Sequence, residues 1–217
     1  MINIVILSAA ASLLLGLLFF EKRESTWGII LTKPLLSALF ILTALVGPHS
    51  DPKYFGPVLV GLLFCLAGDV FLLFFSSKRL FLAGLFSFLT GHILYAAAFF
   101  LVSSPGKLTW IVGALNIAVS GAVFAWLRPH LGRMLIPVIA YMAVITVMVT
   151  GAASLMGDET AGFSGRALVF LGAILFYLSD IFVARQRFVA RQHINRLAGL
   201  PLYYAAQFMI AFSIRLL

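Results

Sequence analysis

The chain has 217 residues, of which 63% are hydrophobic and only 10% are charged. Soluble proteins carry roughly 25% charged residues and need a polar surface. The composition therefore excludes an ordinary soluble domain and predicts an integral membrane protein. The formal net charge of +8 suits contact with anionic lipid head groups, so we expect membrane lipids as partners and no nucleic acid.

Eight apolar stretches long enough to cross a bilayer follow one another along the chain. They cover residues 2–20, 28–46, 57–75, 80–102, 108–127, 132–150, 163–184 and 197–216. Backbone groups in hydrocarbon need internal partners, and the stretches are too long for barrel strands, so they should be helices. The predicted fold is all-α, a polytopic membrane bundle of eight transmembrane helices that forms a single integral membrane domain over residues 1–217.

The Lys and Arg residues of the short loops predict the orientation of the bundle. One side carries ten of them: Lys22, Arg23, Lys78, Arg79, Arg128, Arg133, Arg185, Arg187, Arg191 and Arg196. The other side carries four: Lys53, Lys107, Arg166 and Arg215. The richer side should be cytoplasmic. Both termini would then lie outside, and we expect the protein in the bacterial inner membrane.

Two segments of the chain resemble two later ones. The run "GLLFCLAGDVFLLF" (61–74) aligns with "GAILFYLSDIFVAR" (172–185), and "GHILYAAAFF" (91–100) aligns with "GLPLYYAAQF" (199–208). The offsets, 111 and 108 residues, are nearly equal and span four helices. We infer a tandem arrangement of four plus four helices, with halves 1–104 and 105–217.

The first aligned pair of segments contains one aspartate in each half, Asp69 and Asp180. Both lie near the expected cytoplasmic ends of their apolar stretches. Charged side chains inside a membrane cost roughly 2.5–3.5 kcal/mol on insertion scales and usually face the bundle interior, at a pathway or reaction site. Lys33 lies at a similar depth. Two carboxylates and a lysine in one layer predict such a site, although a buried Lys–Asp pair can also serve helix packing alone.

Several uncharged polar residues are predicted near this layer. Tyr203 and Tyr204 share its depth, and interfacial aromatics are the other explanation for them. His92, Tyr95 and Gln207 should lie nearer the midplane, where His92 is a packing or supporting residue. With one intramembrane histidine and the single Cys65, a zinc site is not predicted. The sequence also lacks a P-loop, a GxSxG elbow and a GxGxxG motif, so no cofactor is expected.

At this point the sequence resembles a known family. The segments "TKPLL" (32–36), "GD" (68–69), "GLFSFLTGHILY" (84–95), "FYLSD" (176–180) and "LPLYYAAQ" (200–207) together resemble the YhhN-like lysoplasmalogenases. The resemblance implies a polytopic membrane enzyme that hydrolyses the vinyl ether bond of lysoplasmalogens, releasing a fatty aldehyde and a glycerophospho-ethanolamine or -choline. It points to Asp69 and Asp180 as the acidic centre, with a set of supporting residues around them: Lys33, His92, Tyr95, Tyr203, Tyr204 and Gln207.

Vinyl ether hydrolysis needs an acid that protonates the enol carbon and an anion that stabilises the resulting oxocarbenium ion. Paired carboxylates perform both tasks in glycosidases, without metal. The residues leave open which of Asp69 and Asp180 is the acid. Intramembrane carboxylates and repeated halves are equally typical of proton-coupled transporters, so a carrier for a small or amphiphilic substrate is the alternative. A sphingolipid or ester hydrolase of similar architecture is a third reading.

Overall fold

The computed structural model describes residues 2–49, 51–74 and 77–217. Within these residues the chain is helical, with no β-strand. The eight α-helices of the described part are α1 (Ile2–Lys22), α2 (Thr26–Leu45), α3 (Pro52–Phe71), α4 (Lys78–Leu101), α5 (Lys107–Leu131), α6 (Leu135–Met156), α7 (Phe163–Ala184) and α8 (His193–Ser213). Short 3₁₀ turns follow α3 and α5, and a π-helical turn, Arg185–Val189, follows α7.

Each apolar stretch that the sequence indicates corresponds to one of these helices. The all-α expectation is confirmed, and the helix ends differ from the predicted ones by several residues. Residue 75, where the third stretch was expected to end, lies outside the described residues. Polar loop residues set several starts: the Ser25 side chain accepts a hydrogen bond from Gly28 N at the start of α2, and Asp51 accepts one from Lys53 N at the start of α3.

The prediction of eight transmembrane helices is not confirmed. By length and composition, six segments of the described chain can cross a membrane. The six segments differ from the eight predicted helices in two ways. Helices α5 and α6 count as one apolar segment, Lys107–Met156, and α8 is not among the six. The polar residues of α8 explain its low hydropathy, because buried Asn195 and Gln207 interrupt its apolar sequence. The number and hydropathy of the helices nevertheless fit an integral membrane protein.

The pairs α3 with α4 and α7 with α8 make the most extensive contacts, and α4 with α6 follows them. Glycines allow the backbones of α3 and α4 to approach. A Cβ on Gly61 would lie 2.5 Å from the Tyr95 ring, and one on Gly91 would lie 3.1 Å from the Gly61 carbonyl oxygen. Small residues at such contacts are a common basis of helix association in membranes. The close approach brings the C-terminal half of α3, with Asp69, against α4.

Contacts between the two halves of the chain complete the bundle: α4 packs on α6, and α8 packs on α2 and α1. Polar contacts mark both ends of the α1–α8 contact. At one end Arg196 Nη1 lies 3.9 Å from Glu21 Oε1, and at the other Arg215 Nη1 donates to Asn3 Oδ1 over 2.9 Å. The end of α1 and the start of α8 are therefore at the same face of the bundle. Asp69 and Asp180 lie toward this face, near the ends of α3 and α7.

Candidate active site

The Asp69 carboxylate is held by side chains from two neighbouring helices. Lys33 on α2 places its Nζ 3.0 Å from Oδ1, and both side chains are almost fully buried, at 4% and 2% exposure. Oδ2 accepts hydrogen bonds from Ser37 Oγ (2.7 Å) and from Tyr203 OH (2.6 Å). Both oxygens of Asp69 therefore have strong partners, as an ionised carboxylate in a dry interior requires.

A chain of hydrogen bonds extends from Asp69 toward the middle of the bundle. Gln207 Nε2 donates to the Tyr203 hydroxyl over 3.2 Å, and Tyr95 OH donates to Gln207 Oε1 over 2.8 Å. All three side chains are buried. The Tyr204 hydroxyl lies beside the same cluster, 3.3 Å from Ser37 Oγ. The predicted group of Lys33, Asp69, Tyr95, Tyr203, Tyr204 and Gln207 is thus one connected network.

Asp180 has a different environment. Its Oδ2 accepts a hydrogen bond from Tyr141 OH on α6 over 2.7 Å, and its side chain is 20% exposed. His92 Nε2 lies 3.9 Å from the same oxygen, which is beyond hydrogen-bond range. The ion pairs of the described residues give Asp180 no lysine or arginine partner. The two aspartates therefore differ, with Asp69 paired to a cation and Asp180 bound by a hydroxyl.

The His92 ring is fixed in one orientation. Its Nδ1 lies 2.6 Å from the Phe88 carbonyl oxygen, and because a carbonyl only accepts, Nδ1 must carry the hydrogen. Nε2 is buried and has no hydrogen-bond partner among the described residues. In the neutral ring this atom is an acceptor that faces Asp180.

One cavity of about 110 Å³ connects the two aspartates. Its lining contains Asp69, Lys33 and Tyr203 on one side and Asp180 and Tyr141 on the other. Most of the remaining wall is apolar and comes from α4, α5 and α6, including Phe81, Leu85, Val123, Leu127, Met142 and Ile145. His92, Tyr95, Tyr204 and Gln207 lie outside the lining, so they can act on a bound molecule only through other residues.

Two polar residues that donate hydrogen bonds to the aspartates, Ser37 and Tyr141, were not predicted from the sequence. Ser37 lies one helical turn beyond Lys33, and this spacing places both side chains on one face of α2, a signal that the sequence contains. Tyr141 lies in α6, and no polar residue three or four positions away in the sequence indicates that it belongs to a site. Its role follows only from the packing of α6 on α7.

The arrangement can hold an anion and an acid around an apolar molecule. Among the described residues, no group of three or more His, Cys, Asp or Glu side chains lies close enough together to hold a metal ion. The polar side chains that line the cavity carry carboxyl, hydroxyl, ammonium, guanidinium and amide groups, and such groups can bind and orient a molecule or transfer a proton to it. An amphiphile with an apolar tail matches the wall.

Comparison with known proteins gives a consistent match. The YhhN family model matches residues 28–214. A protein of Bos taurus named lysoplasmalogenase TMEM86A is 33% identical over 160 residues, which cover 72% of this chain and 64% of that protein. A protein of Rattus norvegicus named lysoplasmalogenase TMEM86B is 31% identical over 202 residues, which cover 91% of this chain and 77% of that protein.

The corresponding TMEM86A protein of Homo sapiens is 32% identical over 160 residues, again covering 72% of this chain and 64% of the relative. The chain therefore spans somewhat less than two thirds of the length of the TMEM86A relatives. No solved structure is significantly similar to it.

Proposed function

The chain belongs to the YhhN family, and from that premise we propose that it is a membrane hydrolase of the lysoplasmalogenase type. It cleaves the vinyl ether bond of lysoplasmenyl-ethanolamine or -choline and releases a fatty aldehyde and a glycerophospho-head group. The observation that carries the proposal is the shared cavity, in which two dissimilar aspartates face one apolar space. No cofactor takes part in the proposed reaction.

Asp69 acts as the anion. Its carboxylate has an ammonium partner, Lys33, and two hydroxyl donors, Ser37 and Tyr203. These contacts stabilise the ionised form and fix the orientation of the carboxylate. A negative charge held in a water-poor cavity stabilises a developing cation far more than it would in bulk water. Asp69 therefore lowers the energy of the oxocarbenium ion.

Asp180 acts as the acid. It faces the apolar cavity without a lysine or arginine partner among the described residues, and Tyr141 orients it through one hydrogen bond. The acceptor atom of His92 faces the same oxygen, which fits a carboxyl group that carries its hydrogen. His92 is accordingly a supporting residue beside the acid, with its Nε2 3.9 Å from the Asp180 oxygen.

The reaction balances with these two groups and one water molecule. Asp180 transfers its proton to the enol carbon, and the π electrons of the double bond form the new C–H bond. The carbon attached to the ether oxygen is left as an oxocarbenium ion beside Asp69. Water adds to the cationic carbon and returns a proton to Asp180, giving a hemiacetal. The carbon–oxygen bond to glycerol then breaks as the hemiacetal hydroxyl loses its proton and the glycerol oxygen gains one. Aldehyde and alcohol are the products.

The remaining predicted residues support the anion. Tyr203 contacts Asp69 directly. Gln207 donates a hydrogen bond to the Tyr203 hydroxyl and accepts one from Tyr95, so the two residues fix the orientation of that hydroxyl. Tyr204 contacts Ser37, the second donor to Asp69. A fully satisfied buried network of this kind holds its members in one arrangement, so these residues pre-organise the negative charge. Of them, Tyr203 also lines the cavity, and Tyr95, Tyr204 and Gln207 lie outside its lining.

The proposed membrane arrangement has eight transmembrane helices in one domain, 1–217, with halves 1–104 and 105–217. The helix contacts support the repeat, because α4 of the first half packs on α6 of the second while α8 of the second packs on α2 of the first. The distribution of Lys and Arg supports a cytoplasmic site and external termini in a bacterial inner membrane. A lysophospholipid then reaches the site from the cytoplasmic leaflet.

Product analysis by mass spectrometry tests the activity. Purified protein in detergent is given lysolipids with the same head group and chain length, whose chains are joined by a vinyl ether, an ester or a saturated ether. We expect aldehyde from the vinyl ether alone. Free fatty acid from the ester lipid would identify an ester hydrolase instead. No product from any lipid, in a folded sample that binds them, would favour a carrier, because detergent abolishes any gradient.

A further inference from the structure

The cavity is not enclosed on every side by tightly packed helices. Helix α5 packs on α6 and on the π-helical turn, and α7 packs on α6 and α8, but α5 and α7 make no extensive contact with each other. Both helices nevertheless line the cavity, α5 through Val123 and Leu127 and α7 through Tyr177 and Ile181. Along this stretch the two helices, both described over their full length, therefore stand apart with the cavity between them.

A hydrogen-bonded bridge forms one edge of the gap between α5 and α7. The Tyr177 hydroxyl of α7 lies 2.8 Å from Ser120 Oγ of α5, which in turn lies 2.7 Å from Thr146 Oγ1 of α6. Thr146 Oγ1 donates its hydrogen to the Met142 carbonyl oxygen over 2.7 Å. Ser120 must therefore donate to Thr146, and Tyr177 must donate to Ser120. This bridge ties the three helices together at one level.

The π-helical turn after α7 forms the other edge of the gap. Its Phe188 meets the Phe81 ring of α4 edge to face, with the ring centroids 6.1 Å apart, and packs against the buried cluster that contains Leu127 of α5. From Tyr177 to the end of α7 at Ala184 the helix makes about two turns, or roughly 10 Å along its axis. The bridge and the turn thus frame an opening between α5 and α7, the α5–α7 window.

The α7 side chains at the window are apolar, and Asp180 lies at the same level. Ile181, one turn after Tyr177, lines the cavity and is partly exposed, and Leu178 is 41% exposed. The Asp180 side chain is 20% exposed, against 2% for Asp69, so more open space lies beside Asp180. An apolar chain in the window therefore contacts apolar side chains along its length and has the Asp180 carboxyl near its inner end.

We propose that the hydrocarbon chain of the lysophospholipid occupies the α5–α7 window. The lipid is then bound from the side, with its ether in the cavity and the rest of its chain between the two helices, in contact with the bilayer. The inference rests on the proposed function, which supplies the lipid and places its ether at the aspartates. The window adds the place of the chain and the direction from which the lipid is bound.

A second apolar opening provides a comparison within the same protein. A groove of about 350 Å³ lies between α4 and α6, and its lining includes Ile93, Phe100 and Val147. Neither aspartate belongs to this lining, so a chain in the groove would not join the cavity that holds them. The window and the groove therefore predict different contacts for the same lipid.

Photolabelling with an uncleavable lipid locates the chain. The probe is a saturated 1-O-alkyl lysophosphoethanolamine with a diazirine in the middle of its chain, bound to the wild-type protein in lipid nanodiscs. Labelled residues are identified by mass spectrometry, and only labelling that excess unlabelled 1-O-alkyl lysolipid abolishes is counted, which removes contacts with bulk lipid. We expect such labelling on residues 120–127 of α5 and 177–184 of α7, and none in the α4–α6 groove.

Thiol modification tests the window in a folded protein. Ile181→Cys introduces a reactive thiol at the window, and Val147→Cys, at a residue that is 52% exposed in the groove, is the matched control; the native Cys65 is fully buried. Each protein is modified with methyl or benzyl methanethiosulfonate, and its affinity for the uncleavable lipid is measured by native mass spectrometry. The benzyl adduct at position 181 should weaken binding by roughly tenfold or more, because it overfills an apolar site. The methyl adduct, close to isoleucine in size, should have a much smaller effect, and neither adduct at position 147 should have any.

Two results would overturn the window: competed labelling confined to the α4–α6 groove, or equal affinities of the benzyl and methyl adducts at position 181. The labelling uses wild-type protein, so it does not depend on the folding of a variant. The proposed function fails by a different result, the absence of aldehyde when wild-type protein is given vinyl ether lipid. Because the probe is not cleaved, the two failures are distinguishable.

Discussion

Lys33 and Asp69 form an ion pair between α2 and α3, with Nζ 3.0 Å from Oδ1 and both side chains almost fully buried. Such a pair is costly to bury and more costly to break, because removing one partner leaves an uncompensated charge. Two hydroxyl donors on the other carboxylate oxygen explain how Asp69 is accommodated in an apolar run of sequence. The pair also fixes the charge that the proposed reaction uses.

Breaking this pair should destabilise the bundle. We expect Lys33→Met to lower the free energy of unfolding by about 3–5 kcal/mol, measured by denaturation in detergent with tryptophan fluorescence. Asp69→Asn should cause a similar loss. The double variant should be more stable than the sum of the two single losses predicts, because neither charge is then left unpaired. Strictly additive losses would contradict the coupling.

The glycine contact between α3 and α4 should tolerate no added methyl group. Gly61→Ala places a Cβ 2.5 Å from the Tyr95 ring and 3.2 Å from the Gly91 carbonyl oxygen, so we expect lower thermal stability and reduced activity. Gly56→Ala in the same helix is the matched control, because a Cβ there meets nothing within 4 Å. It should keep or raise stability, since alanine favours helix by roughly 1 kcal/mol. Equal effects of the two changes would argue against the described packing.

The apolar wall should limit the length of the lipid chain. Val123 on α5 lines the cavity, and Val119, one turn earlier, is exposed on the same helix. Val123→Phe should lower kcat/KM for long-chain lysoplasmalogens and spare short-chain ones, whereas Val119→Phe should change neither. Kinetics with a chain-length series measure the effect. A loss that is the same for every chain length would exclude this wall as the tail site.

Tyr203 and Tyr95 offer a comparison within one hydrogen-bonded chain. Both contact Gln207, but only Tyr203 donates to Asp69 and lines the cavity. Tyr203→Phe removes a hydrogen bond to a charged group and should lower kcat by roughly tenfold or more. Tyr95→Phe should cost stability with a smaller change in kcat. Comparable kcat losses in the two variants would assign Tyr203 a structural role only.

Much of the fold follows from the composition and the spacing of the apolar stretches, because a chain in hydrocarbon has few ways to satisfy its backbone. The number of membrane spans was harder to predict. The break between α5 and α6 rests on a three-residue turn around Gly132, and the inward-facing Asn195 and Gln207 lower the hydropathy of α8. Polar residues in a buried network thus lower the hydropathy by which a transmembrane helix is recognised.

The sequence predicts those contacts of the site that depend on the depth of a residue in the membrane. Lys33, Asp69 and Tyr203 were expected in one layer, and the structure connects them. Depth does not give rotation about a helix axis, so it did not predict the packing of Tyr141 on Asp180. It also did not predict that Lys33 pairs with Asp69 while Asp180 faces a tyrosine and a histidine. That difference arises from tertiary packing, and the proposed assignment of one carboxylate as an anion and the other as an acid depends on it.

The most direct test of the account is the rate of aldehyde release from lysoplasmenyl-ethanolamine by Asp180→Asn protein in detergent. Asparagine can still accept the Tyr141 hydrogen bond but has no proton to give, and loss of a general acid costs roughly 10²–10⁴ in rate. Asp158→Asn, in the exposed loop after α6, is the matched control and should keep the wild-type rate. We expect a loss of at least about a hundredfold for Asp180→Asn with unchanged thermal stability; a folded Asp180→Asn protein that releases aldehyde at the rate of the control would contradict the account.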